Sequence, residues 1–113
     1  GDSAIGFSGM EMETLARYNM PAKIVVLNNG GIGPGMPEIP ENPMMNMKPN
    51  ALIYGARYDK MMEDFGGMGA FVDDPKDIPE ALDKAMAFDG PALVNIVISQ
   101  GASRKPQQFA WHS

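Results

Sequence analysis

The feature that most narrows the fold is the run Lys23-Ile24-Val25-Val26-Leu27, which stops abruptly at Asn28-Asn29-Gly30-Gly31. An apolar, β-branched run with no polar alternation belongs to a strand covered on both faces, as in parallel sheets flanked by helices. Upstream, Ser8-Gly9-Met10-Glu11 reads as a capping box and predicts a helix over 9–18, with Met12, Leu15 and Ala16 on one face and Asn19 and Pro21 ending it. Downstream, the pattern predicts a helix over 59–64 with Met61, Met62 and Phe65 as its apolar side, closed by Gly66-Gly67. A short strand over 70–72, a helix over 78–88 with Pro79 in its first turn, and a strand over 92–98 follow. Strands alternating with helices mean βαβ units and a parallel sheet, hence an α/β fold.

That sheet is incomplete. About three strands are legible, and Gly1-Asp2 reads as the exit of a strand lying before the first residue. The expectation is a piece of a larger protein, or one half of a split one, with an exposed sheet edge and marginal stability by itself.

At 113 residues the chain is at most one domain. Its net charge of -5 and pI near 4.6 argue against nucleic acid or an anionic membrane as a main partner. The absence of cysteine excludes disulfides and thiolate metal sites, and the only histidine is His112, which disfavours histidine-centred chemistry. With no long apolar run and no signal-peptide pattern, the chain reads as a soluble, cytoplasmic protein.

Residues 30–50 follow neither a helical nor a strand period. Pro34, Pro37, Pro40 and Pro43 recur every third residue and favour an extended path. Four of the eleven methionines, Met36, Met44, Met45 and Met47, lie there. They suit either an apolar lid or a surface packed against another domain. The Pro-x-x-Pro spacing lacks the adjacent basic residue that a ligand of a peptide-binding module would carry.

Asp2 and Asn29 lie 27 positions apart, each just after a strand end. In a parallel sheet both exits open on the carboxyl edge, where ligands of doubly wound folds bind. A carboxylate (Asp2), an amide oxygen (Asn29) and a glycine-turn carbonyl (Gly31) form an oxygen set suited to Mg2+, which prefers six ligands and shares them with phosphates. Two diphosphate oxygens and a water would complete it. The backbone N–H groups of Ser3, Ala4 and Ile32 are placed to donate to the same phosphates. Either half alone is an ordinary strand exit or turn.

Together, and with their flanks Gly1-Asp2-Ser3-Ala4-Ile5-Gly6-Phe7-Ser8-Gly9-Met10-Glu11 and Arg17-Tyr18-Asn19-Met20-Pro21, they resemble the Gly-Asp…Asn-Asn motif of thiamine-diphosphate enzymes. Within that family, Ser3 replaces a common motif glycine. Ser3, the Phe7–Glu11 block, Arg57-Tyr58-Asp59 leading into Phe65-Gly66-Gly67, and the tail Ser103-Arg104-Lys105…Gln108-Phe109-Ala110-Trp111 are similar to the 2-hydroxyacyl-CoA lyase and oxalyl-CoA decarboxylase branch. The tail is nearer the lyases. The resemblance implies residues 1–98 of a three-layer diphosphate- and magnesium-binding domain, with 30–50 as an active-site or interface loop and 99–113 as a tail that closes over the site. It implies thiamine diphosphate and Mg2+ as cofactors. The expected reaction is cleavage of a 2-hydroxyacyl-CoA to formyl-CoA and an aldehyde or ketone, or else decarboxylation of oxalyl-CoA.

The resemblance also frames the departures. Gly33 stands where relatives often carry an active-site tyrosine, so the pocket is expected to admit a bulkier, branched acyl group. Proton transfer then needs another group, and the loop offers Glu38 and Glu41. Glu38, between Pro37 and Ile39-Pro40, is preferred because an apolar setting raises a carboxyl pKa; a solvated surface role for both remains the alternative. Arg104 and Lys105 would pair with coenzyme A phosphates and Ser103 would lie near substrate, unless the tail is simply a solvated terminus. Trp111 would anchor it.

The family's activating glutamate and the wedge under the cofactor have no counterpart here. The partners implied are therefore the remaining pyrimidine-binding and central domains, in a homodimer or homotetramer. The competing class is a cofactor-binding fragment or subunit that performs no chemistry alone.

Overall fold

The computed structural model describes residues 1–33 and 48–102. Three parallel strands, β1 (Lys23–Asn28), β2 (Met68–Val72) and β3 (Ala92–Val97), form a sheet in the order β1-β3-β2. Lys23 and Met68 both align with Ala92, so the three strands start level and finish at one carboxyl edge. The alternation predicted this arrangement, because successive strands joined by helical crossovers return parallel.

β3 is the centre of the core. Its residues Ala92, Val94 and Ile96 pack on one face with Val72, Ala81 and Ala85. Leu93 packs on the other with Met12, Val26 and Met62. The first face is covered by α4 (Ile78–Ala87), entered through a 3-10 turn at Pro75–Asp77. The second is covered by α2 (Glu11–Arg17) and α3 (Tyr58–Asp64), giving helix, sheet, helix in three layers. Met61 and Phe65 join that second cluster, as their spacing predicts.

Strand β1 is an edge, and its alternate residues Val25 and Leu27 are 47% and 50% exposed. They share the face of Val94 and Ile96, with which they are in register, but α4 lies over β2 and β3. The expected exposed edge is therefore present.

The capping box is not formed. Ser8 is the last residue of a helix α1 (Asp2–Ser8), and neither it nor Met10 caps α2 through a side chain. Gly9 (φ -57, ψ -28) and Met10 (φ -64, ψ -18) keep helical dihedrals, and the break is made by i→i−3 bonds from Met12 to Gly9 and from Glu13 to Met10. An N-cap needs extended backbone, which a residue inside a helix does not have. Asn19 does end α2 as expected: at φ 48 it forms a Schellman closure, with its own N–H donating to Ala16 and that of Met20 to Leu15.

β2 and α3 touch through Gly69, where an added Cβ would overlap the Asp59 carbonyl. Gly6, inside α1, has nothing within 4 Å of such a Cβ. Gly69→Ala is expected to lower unfolding free energy by about 3 kcal/mol, and Gly6→Ala to raise it by about 0.5–1 kcal/mol. Urea unfolding of the two variants measures both; a neutral Gly69→Ala would contradict the α3–β2 packing.

Candidate cofactor-binding site

Three loops meet at the carboxyl end of β1. Gly1 brings the start of α1 to β1, since a Cβ there would lie 3.8 Å from the Leu27 carbonyl oxygen. Asp2 follows, 1% exposed, and both its carboxylate oxygens are buried without a hydrogen-bond partner among the described residues. A bare buried carboxylate is among the costliest groups a core can contain. Tyr58 lies close enough to feel it: burial, and then the charge of Asp2, push the Tyr58 phenol above its ordinary pKa.

The second loop begins at Asn28, the last residue of β1. Asn28 is fully buried, and its Oδ1 accepts the Gly30 N–H at 3.2 Å, an Asx turn. Gly30, at φ 73, leaves no room for a side chain: a Cβ would lie 2.9 Å from Tyr54 and 3.1 Å from Gln100. Asn29 donates its Nδ2 to the Gly33 carbonyl at 2.8 Å, which leaves its amide oxygen as the accepting end.

Gly31 pairs with Ala51 in an isolated antiparallel bridge. The flanking bonds run from the Ile32 N–H to Asn50 (2.8 Å) and from the Leu52 N–H to Gly30 (2.9 Å). In such a narrow pair, the Gly31 N–H and C=O point away from Ala51, so its carbonyl is presented outward. Ile32 therefore does not offer the phosphate-facing N–H expected of it: that hydrogen is committed to Asn50. The Ala4 N–H is also engaged, with Gly1 at 3.1 Å. Ser3, in the first turn of α1, needs no such correction.

Gly33 is exposed, with φ 75 and nothing within 4 Å of an added Cβ. The backbone there is in a region that side chains other than glycine's seldom adopt. Glu38, Glu41, the four loop methionines, Ser103, Arg104, Lys105, Trp111 and His112 lie outside the described residues.

Sequence reasoning missed a buried polar cluster beneath the turn. Asn28 Nδ2 donates to the Ala56 carbonyl (3.2 Å) and to Asn95 Oδ1 (3.3 Å). Asn95 Nδ2 donates to the same Ala56 carbonyl (2.7 Å) and to Asp59 Oδ1 (3.3 Å). Arg57 donates to Asp59 from Nε (3.0 Å) and from Nη2 (2.6 Å), and stacks 4.2 Å from the Phe71 ring centre. Burial pushes the Asp59 carboxyl up, but the Arg57 and Asn95 hydrogen bonds and the Arg57 charge outweigh it and hold it below its ordinary value. The available signal was Asn95 itself, one amide inside the apolar strand Ala92–Val97.

The oxygen set fits a hard dication. Asp2 would contribute a carboxylate that has no hydrogen-bond partner among the described residues, Asn29 an amide oxygen and Gly31 a carbonyl directed away from Ala51. Among the described residues there is no group of three acidic, histidine or cysteine side chains that could hold a metal, so any cation here relies on amide and peptide oxygens.

Residues 1–96 match the model of the thiamine pyrophosphate enzyme C-terminal TPP-binding domain. The chain belongs to that family. It is 40% identical to human 2-hydroxyacyl-CoA lyase 1 over 98% of its length, 40% identical to oxalyl-CoA decarboxylase of Escherichia coli strain K12 over 90%, and 42% identical to 2-hydroxyacyl-CoA lyase of Arabidopsis thaliana over 87%. It spans about a fifth of the length of these relatives, covering 21%, 18% and 18% of them. No helix among the described residues is long and apolar enough to cross a membrane.

The lone buried carboxylate has a measurable consequence. Without ligand, Asp2→Ala is expected to raise stability by about 1–3 kcal/mol, the penalty of an unsatisfied buried polar group. If Asp2 is a ligand, Mg2+ with thiamine diphosphate is expected to raise the melting temperature of the parent protein and not that of Asp2→Ala. Differential scanning fluorimetry reads both, and a destabilised ligand-free variant would mean that Asp2 is satisfied in solution.

Asp59 has the opposite character. Its folded pKa is depressed, so its contribution is present above the ordinary carboxylate pKa of about 3.9 and is lost as pH falls through the lower folded value. Asp59→Asn should therefore cost about 1–3 kcal/mol at pH 7, with the gap to the parent narrowing below about pH 4. Chemical denaturation at several pH values follows that gap.

Proposed function

We propose that this chain forms the diphosphate- and magnesium-holding face of a thiamine-diphosphate-dependent carbon–carbon lyase, which cleaves a 2-hydroxyacyl-CoA to formyl-CoA and an aldehyde or ketone. The observation that carries the site is the buried Asp2 carboxylate, without a hydrogen-bond partner among the described residues, at the start of α1 where Gly1 approaches the end of β1 at Leu27. Mg2+ would be held by Asp2, the Asn29 amide oxygen and the Gly31 carbonyl, with the Ser3 N–H donating to the diphosphate. Thiamine diphosphate, when bound, supplies the electron sink needed to break a bond next to a carbonyl.

The lyase is favoured over oxalyl-CoA decarboxylase by the extent of similarity. Identity is equal at 40%, but the human lyase aligns over 98% of the chain against 90% for the bacterial decarboxylase. Cleavage requires the substrate hydroxyl to lose its proton as the product carbonyl forms. Glu38 is assigned that proton, a role for which general bases supply roughly 10²–10⁴-fold. Arg104 and Lys105 pair with coenzyme A phosphates and Ser103 lies near the thioester. The open space at Gly33 admits a branched acyl group. The other domains of the enzyme, in a homodimer or homotetramer, complete the active site.

The deciding experiment is an assay of the full-length enzyme carrying this chain. Formyl-CoA is expected from 2-hydroxyacyl-CoA, and its release only from oxalyl-CoA would assign the decarboxylase instead. Glu38→Gln should lower turnover at least a hundredfold with cofactor binding intact; near-normal turnover removes it from the mechanism. Gly33→Tyr should cut the ratio of branched to linear kcat/KM about tenfold, a ratio in which backbone strain common to both substrates cancels.

A further inference from the structure

Nothing in the ligand set explains why the core beneath it contains two fully buried carboxamides and a buried carboxylate, Asp59, paired with the half-exposed Arg57. Asn28 and Asn95 are 0% exposed and Asp59 is 1% exposed. Apolar residues of similar volume would often serve stability as well or better than such a cluster, which points to a demand for defined geometry. Asn28 is where the cluster meets the turn. Its Nδ2 bonds to the Ala56 carbonyl and to Asn95 Oδ1, and its Oδ1 accepts the Gly30 N–H. Rotating the amide by half a turn would set donor against donor at Gly30 and acceptor against acceptor at Ala56 and Asn95. The carboxamide is thereby locked, one residue before Asn29 and three before Gly31.

We propose that Asn28 is the positioning residue of the cation site: its Oδ1 fixes the Gly30 N–H, and so the directions of the Asn29 amide and the Gly31 carbonyl, while Asn95 and the Asp59–Arg57 pair hold Asn28 in place. This rests on the reading of Asn29 and Gly31 as ligands. Mg2+ demands near-octahedral geometry, so a small displacement of two of its ligands weakens binding sharply. Groups hydrogen-bonded to a metal's ligands are typically worth 10–100-fold in affinity, and Asn28 acts one step further out, through Gly30. Asp2 reaches the site from α1 and is not governed by this cluster, so some binding persists when it is loosened.

The test compares Asn28→Val with Asn28→Thr in the full-length enzyme. The two side chains are near-isosteric, suit the end of a strand and lose the same amide donors. Only threonine keeps an oxygen able to accept the Gly30 N–H. Mg2+ is titrated by calorimetry at saturating thiamine diphosphate, with Mn2+ followed by electron paramagnetic resonance as a second readout. Asn28→Val is expected to bind at least tenfold more weakly than the parent, and Asn28→Thr within threefold of it, at matched melting temperatures of the metal-free proteins. Equal affinities within the pair, both strong or both weak, overturn the proposal. Asn28→Ala and Asn28→Ser provide the same comparison if the valine protein does not fold. Asp2→Ala and Asn29→Ala separate the two levels of inference. Parent-like Mg2+ binding in both defeats the site assignment itself, whereas loss in both with an equal Val/Thr pair defeats only the positioning role.

Discussion

Everything in this molecule leans on β3. It is the one strand with neighbours on both sides, and from Ala92 to Ile96 its side chains are buried whichever face they point to. Helices α2 and α3 pack over one face of the sheet and α4 over the other, so neither layer has a core without it. The parallel pairing also fixes where function can reside. With all three strands running one way and starting level, their exits gather at a single edge, and any site built from strand exits must lie there.

At that edge the molecule combines two opposite treatments of buried polarity. Asp59 is satisfied several times over, by Arg57 and Asn95. Asp2, equally buried, has no hydrogen-bond partner among the described residues. The first is the behaviour of a structural carboxylate and the second that of a group kept for a ligand. The contrast explains why burial alone does not identify a site; what distinguishes Asp2 is burial without satisfaction.

Much of this was legible in the residues. The amphipathic spacing of Met61, Met62 and Phe65 directly reflects burial, which patterning records, whereas the β-branched run of β1, expected to be covered on both faces, leaves Val25 and Leu27 half-exposed because α4 lies over β2 and β3. The motif residues Asp2, Asn29 and Gly31 stood out only together, through their spacing and flanks and the resemblance these carry, since either half alone is an ordinary strand exit or turn. The errors came where the outcome depends on backbone hydrogen bonds made at long range. Ser8 has the right neighbour at Glu11 for a cap, yet it is itself the last residue of the helix Asp2–Ser8. Ile32 has a backbone N–H in the right place along the chain, but Asn50, eighteen positions later, takes it. The Asn28–Asn95–Asp59 cluster joins residues from three separate elements, and only the oddity of an amide within Ala92–Val97 hinted at it.

The bridge between Gly31 and Ala51 bears on how such a domain can diversify. It brings together the two ends of the intervening stretch and ties them to each other, through Ile32 with Asn50 and Gly30 with Leu52. Changes of length inside a closed loop cost little, because closure entropy grows only with the logarithm of loop size. Changes of length between the tied ends therefore leave in place the Ile32–Asn50 and Gly30–Leu52 bonds that close the Asn29–Gly31 turn onto the segment after it.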